Sequence, residues 1–235
     1  MANSWFQFKK FRIRQDRAAM KVTTDACLLG AWADAEAAQS ILDIGTGTGL
    51  LALMVAQRST ALVDAIEIDP ASVEQAKENV NASPWASRIH VMQHDVKAFF
   101  PGKKYDLIIC NPPFFENQLH SPFPSKNQAR HNVSLNSSEL IASVMRLLDS
   151  PGKWVVLLPY SQKEELVSKV KSVPLNLTRQ LFIRDQPHVD FRRVILQFQT
   201  ALIAPPITET LSLKNAEGKY SAGFIRLMKD YYLHL

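Results

Sequence analysis

The chain is poor in cysteine. Cys27 and Cys110 are its only two, too few for a disulfide scaffold, a cysteine-based zinc site or an iron–sulfur cluster. Its six histidines are scattered and none pair at ligand spacing, so no metal is expected. No apolar run nears the roughly 18 residues a membrane-crossing helix needs, and no membrane partner is expected. Nor is a secretory leader expected, because Lys9, Lys10, Arg12, Arg14 and Arg17 stand where its apolar stretch would be. There is no internal repeat and no low-complexity segment. What remains is 235 residues, 46% hydrophobic and 21% charged, a composition and length that suit one soluble α/β domain. The expectation is a cytoplasmic, monomeric protein with a single domain over residues 1–235.

Acid is scarce at the N-terminus. Residues 1–21 hold six basic side chains, Lys21 included, against the single acid Asp16, so this arm carries +5, the net charge of the whole chain. A basic arm suits a polyanion, since phosphate contacts release counterions; a solvated surface segment is the other reading.

Further on, apolar runs alternate with helical stretches. Thr24 to Ala33 reads as a helix, Ile41–Ile44 as a buried strand and Leu50 to Ala56 as an apolar helix. Val63–Ile68 is a second strand, and Asp69-Pro70 starts a helix that runs to about Asn81. Arg88–Met92 and Tyr105–Cys110 are strands, the latter nearly continuous in apolar residues as befits a strand covered on both faces. Ser137 to Leu148 is a helix, Trp154–Leu158 a strand and Gln162–Val173 a helix, and Leu177–Ile183 with Val194–Thr200 form a closing hairpin. Such alternation predicts βαβ units, hence an α/β doubly wound sheet, mostly parallel with a C-terminal antiparallel hairpin. The stretch 112–136 has no period, and loops of that length are usually functional or mobile; it is a candidate substrate loop.

Leu42-Asp43-Ile44-Gly45-Thr46-Gly47-Thr48-Gly49 ends a strand and opens a helix. Glycines there permit a tight turn and close approach of a ligand to the main chain. The spacing is not the dinucleotide fingerprint, which would need glycine where Leu50 stands, and no Lys-Ser/Thr follows to make a P-loop. Glu67 ends the next strand, where an acid can hold the two hydroxyls of a ribose. Asp95 follows the third strand, placed to accept from an adenine amino group. Each feature alone also reads as a plain turn or a surface acid. Together, at consecutive strand ends on the ligand-binding edge of an open sheet, they favour a nucleoside-bearing cofactor.

The runs LDIGTGTG, IEID and HDV resemble those of class I S-adenosylmethionine-dependent methyltransferases, with their Rossmann-like sheet, over residues 41–200. The resemblance implies S-adenosyl-L-methionine as cofactor. It places Gly45 and Gly47 at the methionine part, Glu67 at the ribose, and Asp95 with the Val96 main chain at the adenine, and Gly49 counts among the cofactor-site residues. Asp43 would support the glycine loop.

Asn111-Pro112-Pro113-Phe114 ends the fourth strand. An exocyclic amine on an aromatic base is a poor nucleophile because its lone pair is delocalised into the ring. The Asn111 carboxamide oxygen and the Pro112 carbonyl can each accept an amine hydrogen, which favours a more tetrahedral nitrogen. Pro112 and Pro113 fix the backbone and remove competing donors, and Phe114 can stack on the base. A proline turn with a core phenylalanine is the alternative. The tetrapeptide marks a planar nitrogen as acceptor: adenine, guanine or a protein glutamine amide. Asn111 also counts among the cofactor-site residues.

Two features favour RNA over a protein amide. Glutamine methyltransferases of release factors usually carry a sizeable helical domain before the glycine loop, where about forty mostly basic or small residues stand in this sequence. Lys126, Arg130 and His131 after the tetrapeptide are suited to phosphates, or are scattered charge on a solvated loop. Arg192 and Arg193, in the turn of the closing hairpin with His188, are further RNA candidates or a charged surface turn.

The N-terminal run F-x-I-x-Q-D-R-x-A-M-K-V-x-T-D, the LLGAWA after it, NPPFFEN at 111–117, ARH at 129–131 and KDYYL at 229–233 sharpen the resemblance. They are similar to the bacterial family that methylates the 6-amino group of the adenosine next to the anticodon of a valine tRNA. Membership implies that tRNA is the partner, that segment 1–40 covers the cofactor site, and that Lys21, Thr23 and Asp25 belong to that site. Protein glutamine, ribosomal RNA and DNA remain alternative acceptors, and an RNA-binding module that has kept only the fold is the non-catalytic alternative.

Overall fold

A computed structural model describes residues 3–18, 20–112, 135–200 and 205–235. Two short strands, β1 (Trp5–Gln7) and β2 (Arg12–Arg14), form an antiparallel hairpin. The main sheet comprises β3 (Ser40–Ile44), β4 (Leu62–Glu67), β5 (Ile89–Gln93), β6 (Tyr105–Cys110), β7 (Leu148–Pro159), β8 (Asn176–Arg184), β9 (Arg193–Gln199) and β10 (Ile207–Ser212). Their spatial order is β10-β8-β9-β7-β6-β3-β4-β5. β3 to β7 run parallel, while β9 lies antiparallel between β7 and β8. In register, Ile44 stands beside both Ile66 and Cys110, which brings three strand ends level at the carboxyl edge.

The central strands are buried on both faces, and their sequences say so: Ile41, Leu42, Leu107 to Cys110 and Val155 to Leu158 are all buried. One face is covered by α1 (Thr24–Trp32), α2 (Leu50–Arg58), α3 (Pro70–Asn81) and α6 (Ala222–Met228). The other carries α4 (Ser137–Leu147) and α5 (Lys163–Val170). Local chemistry sets the helix starts. Thr23 and Asp69 accept from the backbone N–H groups of Ala26 and Ser72, Pro70 sits at the first turn, and Asn136 and Glu139 form a reciprocal capping box.

The predicted mostly parallel sheet with its C-terminal antiparallel hairpin is the architecture found. Three details differ. The N-terminal arm is structured: Phe8, Phe11 and Ile13 are core residues, Phe8 bridges to Tyr232, and the Lys9 N–H donates to the Tyr231 carbonyl. Its conspicuous cations mask a period-two alternation, with Phe11, Ile13 and Gln15 buried between exposed Arg12 and Arg14. β7 begins at Leu148 because α4 passes straight into it, well before the expected Trp154. β10 and α6 lie beyond what the sequence pattern predicts; β10 is an edge strand with one buried residue, too little apolar pattern to read. Most of the stretch 112–136, from Pro113 to residue 134, lies outside the described residues.

Candidate functional site

Open α/β sheets bind ligands at the carboxyl edge where connections leave in opposite directions. Here that point lies between β3 and β6, and a cavity of about 290 Å³ opens there. Its walls come from the loop after β3 (Gly45 to Thr48), the ends of β4 (Glu67) and β5 (His94 to Lys97), Asn111 after β6, and Lys21 before α1. Gly45 and Gly47 take φ of 70° and 56°. A Cβ built on either would meet nothing within 4 Å, so these positions turn bare backbone toward open space and a ligand can come close.

Asp43 is fully buried behind this loop. Its Oδ2 accepts from the Thr46 hydroxyl at 2.6 Å and from the Ala52 N–H at 3.2 Å, tying the glycine turn to the first turn of α2. Burial pushes its carboxyl up to about 7; the two hydrogen bonds oppose the rise and the Glu67 charge adds to it.

Glu67 is held before any ligand arrives. Oε2 accepts from Gly47 N–H at 3.0 Å, and Oε1 from Ile68 and Asp69 N–H at 2.8 and 3.0 Å. A carboxylate offers about four lone-pair sites, which leaves acceptor capacity on a side chain whose direction is fixed. Asp95 caps the short turn Val96–Ala98 by accepting from Lys97 N–H, with Val96 buried beside it. Asn111 Oδ1 is buried and has no hydrogen-bond partner among the described residues. A buried acceptor left bare is costly unless a ligand supplies the donor.

The cavity thus gathers Lys21, Gly45, Gly47, Glu67, Asp95, Val96 and Asn111 from the expected set. Four others stand back from it. Thr23 is spent capping α1; Asp25 pairs with Arg192 and Arg193, each at 3.2 Å; Asp43 lies beneath the loop; Gly49, at φ 82°, heads α2 and faces Ala76. The lining also includes Met20, Ile44, Ile66, His94 and Leu135, which sequence reasoning does not assign. For Ile44 and Ile66 a signal is present, as the last apolar residues before each carboxyl-edge loop. Pro112 is buried beside Asn111, whereas Pro113, Phe114, Lys126, Arg130 and His131 lie outside the described residues.

The basic candidates divide by what holds them. Lys10, Arg12 and Arg14 are exposed on the β1–β2 hairpin, with the Arg12 guanidinium 4.7 Å from the Trp5 ring centroid. Lys9 Nζ donates to the Lys229 carbonyl, and Arg17 pairs with Glu78. Arg192 and Arg193 reach back to Asp25, so they join the closing hairpin to α1.

The fit to S-adenosylmethionine can be judged from these walls. Bare glycine backbone, a fixed acid at one strand end, a second acid with an adjacent buried valine, and apolar Ile44, Ile66 and Leu50 together match a ligand with an amino-acid part, a ribose and a planar base. The residues fit.

Comparison with known proteins agrees in fold and sequence. A profile for the "Methyltransferase small domain" matches residues 21–172. A tRNA1(Val) (adenine(37)-N6)-methyltransferase of Parabacteroides distasonis is 42% identical over 237 residues, covering 100% of both chains. One of Dyadobacter fermentans is 43% identical over 235 residues, covering 98% of each. Among solved structures, a protein described as a predicted O-methyltransferase from Agrobacterium tumefaciens superimposes with a TM-score of 0.67 at 18% identity, over 88% of this chain and 96% of its own.

Proposed function

Because the chain belongs to the family of tRNA1(Val) (adenine(37)-N6)-methyltransferases, we propose that it methylates the exocyclic 6-amino group of the adenosine beside the anticodon of a valine tRNA. The observation that carries the reading is the bare, buried Oδ1 of Asn111 on the wall of the cofactor cavity. Gly45, Gly47, Glu67, Asp95 and Val96 would hold S-adenosylmethionine, which when bound supplies an electrophilic methyl group.

The chain's own residues prepare the amine. Asn111 Oδ1 accepts one N–H of the adenine amino group, satisfying the acceptor and the donor together. A second hydrogen goes to the Pro112 carbonyl. Held by both, the nitrogen loses planar character and its lone pair turns out of the ring. The gain is greatest when positive charge develops on nitrogen, so these acceptors stabilise the transition state more than the bound substrate. The amine, once alkylated, is acidic enough to lose its proton to water, so no side chain need act as base. Exposed Lys10, Arg12 and Arg14 offer phosphate contacts, and the Arg192–Arg193–Asp25 group joins the closing hairpin to α1.

The test is methyl transfer from labelled cofactor to unmodified valine tRNA, its anticodon stem-loop, ribosomal RNA, DNA and a glutamine-bearing protein, followed by nucleoside analysis. N6-methyladenosine in the tRNA alone is expected. Label in the protein amide, or in ribosomal RNA in preference to tRNA, would overturn the proposal.

A further inference from the structure

A group of aromatic rings sits on the carboxyl edge of the sheet, beyond Asn111 and outside the cofactor cavity. Tyr160 follows β7, Phe182 lies near the end of β8, and Phe191 precedes β9. Their ring centroids are 5.3 to 5.5 Å apart in every pairing. Phe182 packs into the core beneath, Phe191 is half-buried, and Tyr160 is 39% exposed. Backbone bonds lock the three segments together: Tyr160 N–H donates to the Arg192 carbonyl at 3.1 Å, and Arg192 N–H to the Ile183 carbonyl at 2.8 Å. The rings are therefore a rigid surface and not a mobile tip.

Cations frame this surface. The Arg184 guanidinium lies 5.3 Å from the Phe191 centroid and Lys163 Nζ lies 5.4 Å from that of Phe182. Lys163 is paired with Glu164, and Arg192 with Asp25 and Asp185. Arg184 differs. Its Nε donates to Ser212 Oγ at 3.1 Å, and it has no ion-pair partner among the described residues. An exposed ring backed by two others, beside an arginine with its charge unspent, is the combination by which proteins hold an unpaired base and its phosphate. A purely structural cluster would need neither the exposed face of Tyr160 nor the unpaired guanidinium charge.

Position completes the case. β7 is the immediate neighbour of β6, with β9 and β8 next in line. At about 4.8 Å per strand the rings stand roughly 5 to 15 Å from the end of β6, within reach of a nucleotide adjoining one whose amine meets Asn111. We propose that Tyr160, with Phe191 and Phe182 behind it, is a stacking subsite for an unpaired base next to the target adenosine, and that Arg184 holds that nucleotide's phosphate. The proposal rests on the reading of the acceptor as an anticodon loop.

An anticodon stem-loop carrying 2-aminopurine at the position before or after the target provides the probe. With the wild-type protein, stacking changes the fluorescence of one of the two labelled positions. Tyr160→Leu, which keeps apolar bulk, should abolish that change and weaken RNA binding about tenfold. Tyr160→Phe should retain both, and affinity for S-adenosylmethionine should be the same in all three proteins. Arg184→Gln should flatten the dependence of log affinity on log salt by about 0.7, the value for one single-strand phosphate. Wild-type signal and affinity in Tyr160→Leu overturn the subsite, with the tRNA reading intact. Wild-type protein that binds cofactor but neither binds nor methylates the stem-loop overturns the tRNA reading and the subsite with it. Should Tyr160→Leu lose its fold, Arg184→Gln decides, and an unchanged salt slope overturns the proposal.

Discussion

Replacing Asp43 by asparagine should change how stability depends on pH, and the size of the effect follows from the site. The carboxyl is fully buried, and burial raises it from an ordinary 3.8 to about 7. In the unfolded chain it sheds its proton near pH 4. In the folded protein it keeps that proton to about pH 7. Between those values the native state holds one proton more than the unfolded state, so raising the pH costs stability. The cost is about 1.4 kcal/mol per pH unit, or about 4 kcal/mol across the whole interval. Asparagine preserves an acceptor for Thr46 and Ala52 and has nothing to titrate. From pH 5 to pH 8 the wild type should therefore lose about 3 kcal/mol relative to Asp43→Asn, with the loss complete once pH passes about 7. Other titrating groups are common to both proteins and cancel in the difference. Urea unfolding of each protein at pH 5, 6, 7 and 8 measures it, and in a chain of this length the same change moves the thermal midpoint by about 6–12 °C. A difference that stays constant across those four pH values would mean the carboxylate is already ionised at pH 5. The two hydrogen bonds would then outweigh the desolvation, and the reasoning from burial would be wrong.

Glu67→Ala should weaken S-adenosylmethionine binding by roughly 1.5–3 kcal/mol, since a charged acceptor and its clamp on Gly47 disappear together; unchanged affinity by calorimetry would remove Glu67 from the site. Asn111→Ala should slow single-turnover methyl transfer by on the order of a hundredfold at saturating cofactor and tRNA, with small changes in either affinity. A near wild-type rate there would sink the amine-orienting role. Deleting residues 1–21 is a poor test of the basic hairpin, because Phe8, Phe11 and Ile13 would go with it. Changing Lys10, Arg12 and Arg14 together to glutamine keeps the core and should flatten the salt dependence of tRNA affinity by about 0.7–0.9 for each phosphate that is no longer neutralised; an unaltered slope returns those charges to a solubility role.

Legibility in the sequence tracks how much local pattern each feature carries. β6 can be read to the residue because a strand covered on both faces is a nearly continuous apolar run, broken here only by Asp106 and bounded by Lys104 and Asn111. α3 announces its start through Asp69-Pro70. The glycine turn, Glu67 and Asp95 are legible because a parallel sheet places consecutive strand ends on one edge, so order along the chain stands in for proximity. The β1–β2 hairpin escapes because its strands span three residues each and its exposed cations dominate the composition. The tether of Arg192 and Arg193 to Asp25 joins positions 167 residues apart for the first pair, and no spacing rule reaches that far. The same holds for Tyr160, Phe182 and Phe191, which come together only once β9 is known to lie between β7 and β8.

The contact between the β1–β2 hairpin and residues 229–232 also sets an order of events during synthesis. Asn79 and Gln75 on α3 can grip the hairpin early, through the Arg14 and Arg17 backbone N–H groups. Its other side, Phe6 and Phe8, has to wait for Tyr231 and Tyr232. At translation speeds of about 5–20 residues per second, that interval is on the order of 10–45 s. Through it Phe6 and Phe8 lack the Tyr232 ring that later covers them. Met20 and Lys21 follow the same hairpin and border the cavity, so the brace behind that wall is complete only after residues 229–232 have been made.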